Sequence, residues 1–143
     1  GTDPPDVVRT PPCAVKQCWI DPKTCAGMSA RETAEVIGRA LQRQYDTLQP
    51  KQTAKYQRAE DPSVEAVREV CELTRASARN ERALIHYNGH GVPRPTANGE
   101  IWVFNRFITQ YIPLSIHDLK DWAGKPSIFV LDCSAAGVLV PYF

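Results

Sequence analysis

Ser127-Ile128-Phe129-Val130-Leu131-Asp132-Cys133-Ser134 is the stretch on which the architecture turns. Its first five residues form a short apolar run of the kind that makes a buried strand. The run breaks at Asp132-Cys133-Ser134-Ala135-Ala136-Gly137. A second run, Ala83-Leu84-Ile85-His86-Tyr87, stops in the same way at Asn88-Gly89-His90-Gly91. Between the two, Pro93, Pro95 and Asn98-Gly99 oppose regular structure, and Asn-Gly is a hairpin signal. Ile101-Trp102-Val103-Phe104 is a candidate strand beyond that turn. Ser115-Ile116-His117-Asp118 opens a short helix that Gly124 and Pro126 close.

Upstream, two helices are expected. Ser29-Ala30-Arg31-Glu32 is a capping box, in which the serine oxygen accepts from the third helical amide and the glutamate reaches back. Ala34, Ile37, Leu41, Tyr45 and Leu48 then recur at three- and four-residue steps, giving one apolar face over about five turns before Pro50. Residues 49–60 read as a solvated loop. Asp61-Pro62 is a helix start, with the aspartate capping and the proline suited to the first turn. Val64, Val67, Cys71 and Thr74 follow on one face, widened by Val70 and Leu73. Residues 1–28, with Pro4, Pro5, Pro11, Pro12 and Pro22, read as extended or looped chain, in which Val7-Val8 and Cys18-Trp19-Ile20 could form short edge strands. The expected order over 29–143 is helix, helix, strand, loop, helix, strand. Strands alternating with helices imply an α/β fold, a mainly parallel sheet covered on both faces.

The 143 residues fit one domain, and a net charge of +1 provides no basic field for nucleic acid or an acidic membrane. No transmembrane segment is expected, because no run of eighteen apolar residues occurs. The N-terminus lacks the basic start and apolar middle of a signal peptide. Five cysteines, an odd number, argue against a full disulfide framework and for a reducing, cytoplasmic setting. Cys13, Cys18 and Cys25 have no paired CxxC spacing and no nearby fourth ligand, so no metal is expected. Gly89, Gly91 and Gly99 do not match a dinucleotide fingerprint, and no cofactor is implied. Both ends read as cuts within a larger protein.

Two strand ends carry reactive types: His90 after one, Cys133 and Ser134 after the other. Sites in open α/β sheets lie at the carboxyl ends of strands. A histidine near a thiol can take its proton and give the thiolate nucleophile. His86, four residues before His90, is not aligned with it as on a helix and is expected on the strand, facing a helix or a neighbour. His117 falls in the first turn of a short helix and is expected to be exposed. Trp19, Trp102, Phe104, Phe107, Tyr111 and Trp122 default to core, and the loop from Arg94 to Gln110 is the place for exposed ones.

A histidine–glycine after one strand and a cysteine after the next main strand resembles the caspase and metacaspase group of cysteine proteases. Further blocks resemble the N-terminal conserved region of the Raptor family. They are Pro4-Pro5-Asp6-Val7-Val8, Cys18-Trp19-Ile20-Asp21-Pro22, the run from His86 to Thr96, Trp102-Val103-Phe104-Asn105, Thr109 to Ser115, and Asp132-Cys133-Ser134. The resemblance implies a caspase-like three-layer α/β/α sandwich, here incomplete at both ends. It also implies a scaffold module of TOR complex 1 that helps recruit and position kinase substrates. The implied partners are the TOR kinase, substrates carrying TOR-signalling motifs, and the family's helical-repeat and WD40 regions. The implied location is cytoplasmic, with recruitment to a lysosomal or vacuolar membrane through partners.

The protease pattern fits this chain imperfectly. Anchoring a metacaspase-like motif on Asp132 and Gly137 puts Ser134 in the nucleophile slot and Cys133 one residue early. Anchoring on Cys133 brings the following glycine late, and the amides after the nucleophile help to build the oxyanion hole. A one-place offset at a strand end can turn the thiol away from His90. No third group to orient the histidine stands out. The expectation is a pseudo-protease with His90 and Cys133 as a vestigial dyad and no catalytic residue, against the alternative of an active endopeptidase using that pair. The substrate-binding residues are unassigned.

Overall fold

The structure is a computed structural model that describes residues 26–49 and 54–143. The strands expected around Val7 and Trp19, and the cysteines Cys13, Cys18 and Cys25, lie outside the described residues. The elements are α1 (Ala30–Leu48), α2 (Val64–Ala78), β1 (Ala83–Asn88), β2 (Glu100–Phe104), β3 (Tyr111–Ser115), α3 (Ile116–Ala123) and β4 (Ser127–Asp132). A 3-10 helix, Ala136–Tyr142, comes after β4.

The two apolar runs are neighbours. β1 and β4 pair in parallel and in step, from Ala83 opposite Ser127 to Asn88 opposite Asp132. Both strands therefore end together, and the residues after each emerge at one edge. Alternate residues of a strand face opposite sides. Ile85, Tyr87, Phe129 and Leu131 face a core built from Cys71 of α2, Ile101 and Val103 of β2, Leu114 of β3, Ile116 and Leu119 of α3, and Leu139. On the other side His86 meets Tyr45 of α1. Helices thus lie on both faces of the parallel pair, as the three-layer architecture requires. The cover is uneven. Leu84 and Ile128, on the α1 side at the strand starts, remain 42% and 46% exposed, where a fully covered sheet was expected.

α1 begins where the capping box places it: Ser29 Oγ accepts from Glu32 N at 3.3 Å, and Glu32 Oε2 accepts from Ser29 N at 2.8 Å. α2 starts later than expected. Ser63, not Asp61, is the cap, and its side chain accepts from Ala66 N. The reason is a tertiary contact. Pro62 O accepts from Phe104 N at 3.0 Å and Ser63 bridges to Phe104, so this pair is held extended against β2 and the helix opens only after it. Leu73, expected to widen the apolar face, is instead 53% exposed. α3 has the expected limits, with Ser115 as N-cap and Gly124 as C-cap at φ +62.

Arg75, in the last turn of α2, joins the helices to the sheet. Its guanidinium donates to the carbonyls of Ala123, Arg79, Glu81 and Pro126 and to Ser127 Oγ, at 2.7 to 3.2 Å. One side chain thus satisfies carbonyls at the ends of α2 and α3 and at the entry to β4.

The expected loop between the parallel strands contains an antiparallel hairpin. β2 pairs with β3 from Glu100–Ser115 to Phe104–Tyr111. Asn98-Gly99 leads into β2 and does not close the hairpin. The actual turn is Asn105–Gln110, where Asn105 Oδ1 accepts from Thr109 N at 2.9 Å and Gln110 N at 3.4 Å. Pro113 sits exposed within β3, which a two-stranded ribbon tolerates because each strand has an outer edge that needs no donor.

Candidate functional site

The in-step ending of β1 and β4 brings His90, Asp132, Cys133 and Ser134 to one edge of the sheet. Gly89 N donates to Asp132 O at 2.9 Å and continues the pairing one residue past β1. Asn88 Oδ1 then accepts from His90 N at 3.2 Å, which turns the chain and sets the imidazole. His90 Nε2 lies 2.8 Å from Asp132 Oδ1. The other carboxylate oxygen lies 3.8 Å from His86 Nε2. His86 Nδ1 is 2.7 Å from Tyr45 Oη. A carboxylate therefore stands between two imidazoles, and α1 is tied to the outer one.

Asp132 is the orienting group that sequence reading did not find. Its signal was present but indirect. His90 lies two residues past Asn88, and Asn88 pairs with Asp132, a match visible only once the register of strands 44 positions apart is known. An Asp–His hydrogen bond fixes the tautomer and angle of an imidazole.

Cys133 is placed differently. Residues 132 and 133 point to opposite faces. Asp132 shares the side of His86, whereas a Cβ built on Gly89 would meet Tyr87 Cε1 at 2.4 Å and Cys133 Cβ at 2.7 Å. The thiol thus belongs to the side of Tyr87, whose own hydroxyl is raised above its ordinary pKa first by burial and then by the charge of Cys133. Burial, and secondarily the Asp132 carboxylate, also pushes the Cys133 thiol above its usual range. An activated nucleophile needs the reverse shift. Ser134, the alternative at the metacaspase register, is exposed. Cys71, in the core, is pushed up to about 11 by burial and then by Glu72.

His86 lies on β1 facing a helix, as expected, and burial lowers its pKa although Asp132 works in the opposite direction. His117 is exposed. Phe104 is buried, Trp102, Tyr111 and Trp122 are half-buried, and Phe107 stands 78% exposed at the hairpin tip, inside the segment where exposed aromatics were expected. Trp19 is outside the described residues. Among the described residues no three of His, Cys, Asp and Glu are arranged to hold a metal ion. No described helix is long and apolar enough to cross a membrane.

Comparison with known proteins bears on the fold and the family. A family model described as the Raptor N-terminal CASPase like domain matches residues 1–143. The chain is 54% identical over its whole length to Protein raptor homolog of Dictyostelium discoideum and 57% identical to Regulatory-associated protein of TOR 2 of Oryza sativa subsp. japonica. It is 50% identical, again over its whole length, to Target of rapamycin complex 1 subunit mip1 of Schizosaccharomyces pombe. It spans 9%, 10% and 10% of those proteins, about a tenth of each. The crystal structure of Chaetomium thermophilum Raptor superimposes with a TM-score of 0.75 at 48% identity, covering 82% of this chain and 11% of that one.

Proposed function

Because the chain belongs to the Raptor N-terminal caspase-like domain family, we propose that it is a non-catalytic scaffold module of TOR complex 1. In this reading it helps to recruit and position substrates of the TOR kinase in growth and nutrient signalling. The match of this whole chain to part of a relative named as a subunit of that complex carries the complex-level part of the reading. The strand-end geometry supports the non-catalytic part. His90 is committed to Asp132 on one side of the sheet, and the Cys133 thiol sits on the other with its proton held more tightly than usual. His90 and Cys133 are then a vestigial dyad. His90 organises the loop after β1 and Cys133 packs against Tyr87. The partners are the TOR kinase, substrates bearing TOR-signalling motifs, and the helical-repeat and WD40 regions of the family. The setting is cytoplasmic, with lysosomal or vacuolar membranes reached through partners.

Two measurements on the full-length protein test this. The first treats it with a caspase-inhibitor-type electrophile and locates the label by mass spectrometry. Labelling of Cys133 no greater than at Cys13, Cys18, Cys25 or Cys71, and unchanged by His90→Ala, is expected. Selective labelling that His90→Ala removes would establish a working dyad and sink the non-catalytic reading. The second deletes residues 1–143 and tracks capture of a substrate peptide by the complex. Undiminished capture would sink the recruitment reading.

A further inference from the structure

The hairpin of β2 and β3 ends in a feature that the fold itself does not need. Residues 106–110, at its tip, are all exposed. Phe107 and Ile108 stand next to each other there, 78% and 51% exposed. A lone apolar side chain in water is ordinary, whereas two large ones together on a projecting turn mark a contact surface. Ile108 also has φ +57, a left-handed conformation that is a genuine outlier for a β-branched residue. Burial does not offset that strain, because the side chain is exposed. Strain of this kind persists where the surroundings impose it, and it collects at ligand clamps and switches.

Asn105 imposes it. Its backbone N donates to Gln110 O at 2.9 Å, and its carbonyl accepts from Ile108 N at 3.0 Å. Its side chain accepts from the amides of Thr109 and Gln110 and donates through Nδ2 to Thr109 Oγ1 at 2.8 Å. At the base of the turn the rings of Phe104 and Tyr111 lie 5.0 Å apart. Phe107 is thus presented on a turn whose shape is set before a partner arrives, which reduces the ordering cost of binding.

The charge at the tip selects the partner. Between 101 and 116 only Arg106 is charged. Among the described residues it forms no ion pair. The Glu65 carboxyl is held low first by its own amide and by Ser63, and only last by Arg106. An aromatic ring beside such a guanidinium has the composition of an interface anchor. Its complement is an apolar socket with a carboxylate on the rim. A lipid surface fits less well, because stable attachment there takes a cluster of cations or a second anchor, and the tip has one cation.

We propose that the hairpin tip is a docking knob. Phe107 enters an apolar socket on the folded surface of another protein of the assembly, with Ile108 at the socket's edge and Arg106 against a carboxylate on its rim. The inference rests on the scaffold reading, to which it adds a contact made by this chain's own projecting side chains.

The test uses the full-length protein in its purified complex, with the photo-crosslinker p-benzoylphenylalanine in place of Phe107. Irradiation is expected to join position 107 to another polypeptide, within a folded region, at an apolar residue that has an aspartate or glutamate beside it. With that partner identified, Phe107→Ala should weaken its binding about tenfold or more, the scale of a hot-spot aromatic. The same variant should leave the urea midpoint unchanged, as loss of an exposed side chain does. Arg106→Glu should weaken binding about threefold, the scale of one exposed ion pair. Reversing the mapped carboxylate to lysine should restore that loss, a rescue that a structural defect would not show. No adduct to another chain, an adduct confined to an unstructured segment, or binding unchanged in Phe107→Ala would overturn the proposal. Flotation with phosphatidylcholine–phosphatidylserine vesicles that depends on Phe107 would also overturn it, in favour of a membrane contact. Any of these results, in a complex that still needs residues 1–143 to capture substrate peptide, removes the knob alone. Undiminished capture after deletion of those residues removes the recruitment reading, whatever the tip does.

Discussion

At Gly89 a single methyl group would collide with both the Tyr87 ring and Cys133, at 2.4 and 2.7 Å. The Tyr87 ring cannot step aside cheaply, because its hydroxyl is anchored on Trp102 O at 2.7 Å. Gly89→Ala is expected to cost about 1–3 kcal/mol through overpacking, read as a lowered urea midpoint. His86 makes a pH prediction. Its folded pKa lies below the ordinary 6.5, mainly through burial. Between the two values the unfolded chain binds more protons, so the contribution is fully present above about 6.5 and is lost as pH falls from there through the lower folded value. His86→Gln should flatten this part of the stability profile, measured as urea midpoints from mildly acidic to neutral pH. Sequence reading placed His86 and His90 correctly, because each follows or belongs to an obvious apolar run. It missed Asp132 as their shared partner, because strand register is a long-range property that no local pattern encodes.

At the level of elements, local chemistry and tertiary contact divided the outcome. The capping box at Ser29 set the start of α1 unaided, since both of its hydrogen bonds close within four residues. Ser29→Ala should therefore quicken hydrogen exchange in the first turn of α1 and leave the β1–β4 amides protected. α2 shows the other case. Asp61-Pro62 has the better local credentials, yet the Pro62 carbonyl is taken by Phe104 N, and the start moves to Ser63. The hairpin was hidden by Pro113 and by an Asn-Gly pair that opens β2 without turning back on itself. The Arg75 fork is the principal fastening between these elements. Arg75→Lys keeps the charge but cannot supply the planar set of donors. It is expected to cost about 1.5–3 kcal/mol, the worth of hydrogen bonds to a charged group, seen as a lower midpoint in urea. Recovery of full stability by lysine would show that charge alone matters there.

Across the whole molecule, the core lies between the parallel pair, the hairpin, α2 and α3, and the most enclosed side chains belong to the last three elements and the 3-10 helix. Leu119→Ala should cost about 2–5 kcal/mol as a buried deletion, while Leu73→Ala on the outer side of α2 should stay within about 0.5 kcal/mol. Chemical denaturation of the two variants side by side checks the contrast. The α/β order was legible because short apolar runs alternate along the chain with apolar residues recurring at three- and four-residue steps. The order could not convey which way each strand-end residue faces. That facing has a consequence for anyone who would rebuild a hydrolase on this scaffold. The position that meets the imidazole belongs to Asp132, and the sulfur is lodged one step further along, behind the sheet. Repairing the neighbours of Cys133 would leave the reactive atom in the wrong compartment. The shorter design route is a sulfur grafted at 132 with residue 133 made inert, a change that would also cost His90 the carboxylate now holding it in place.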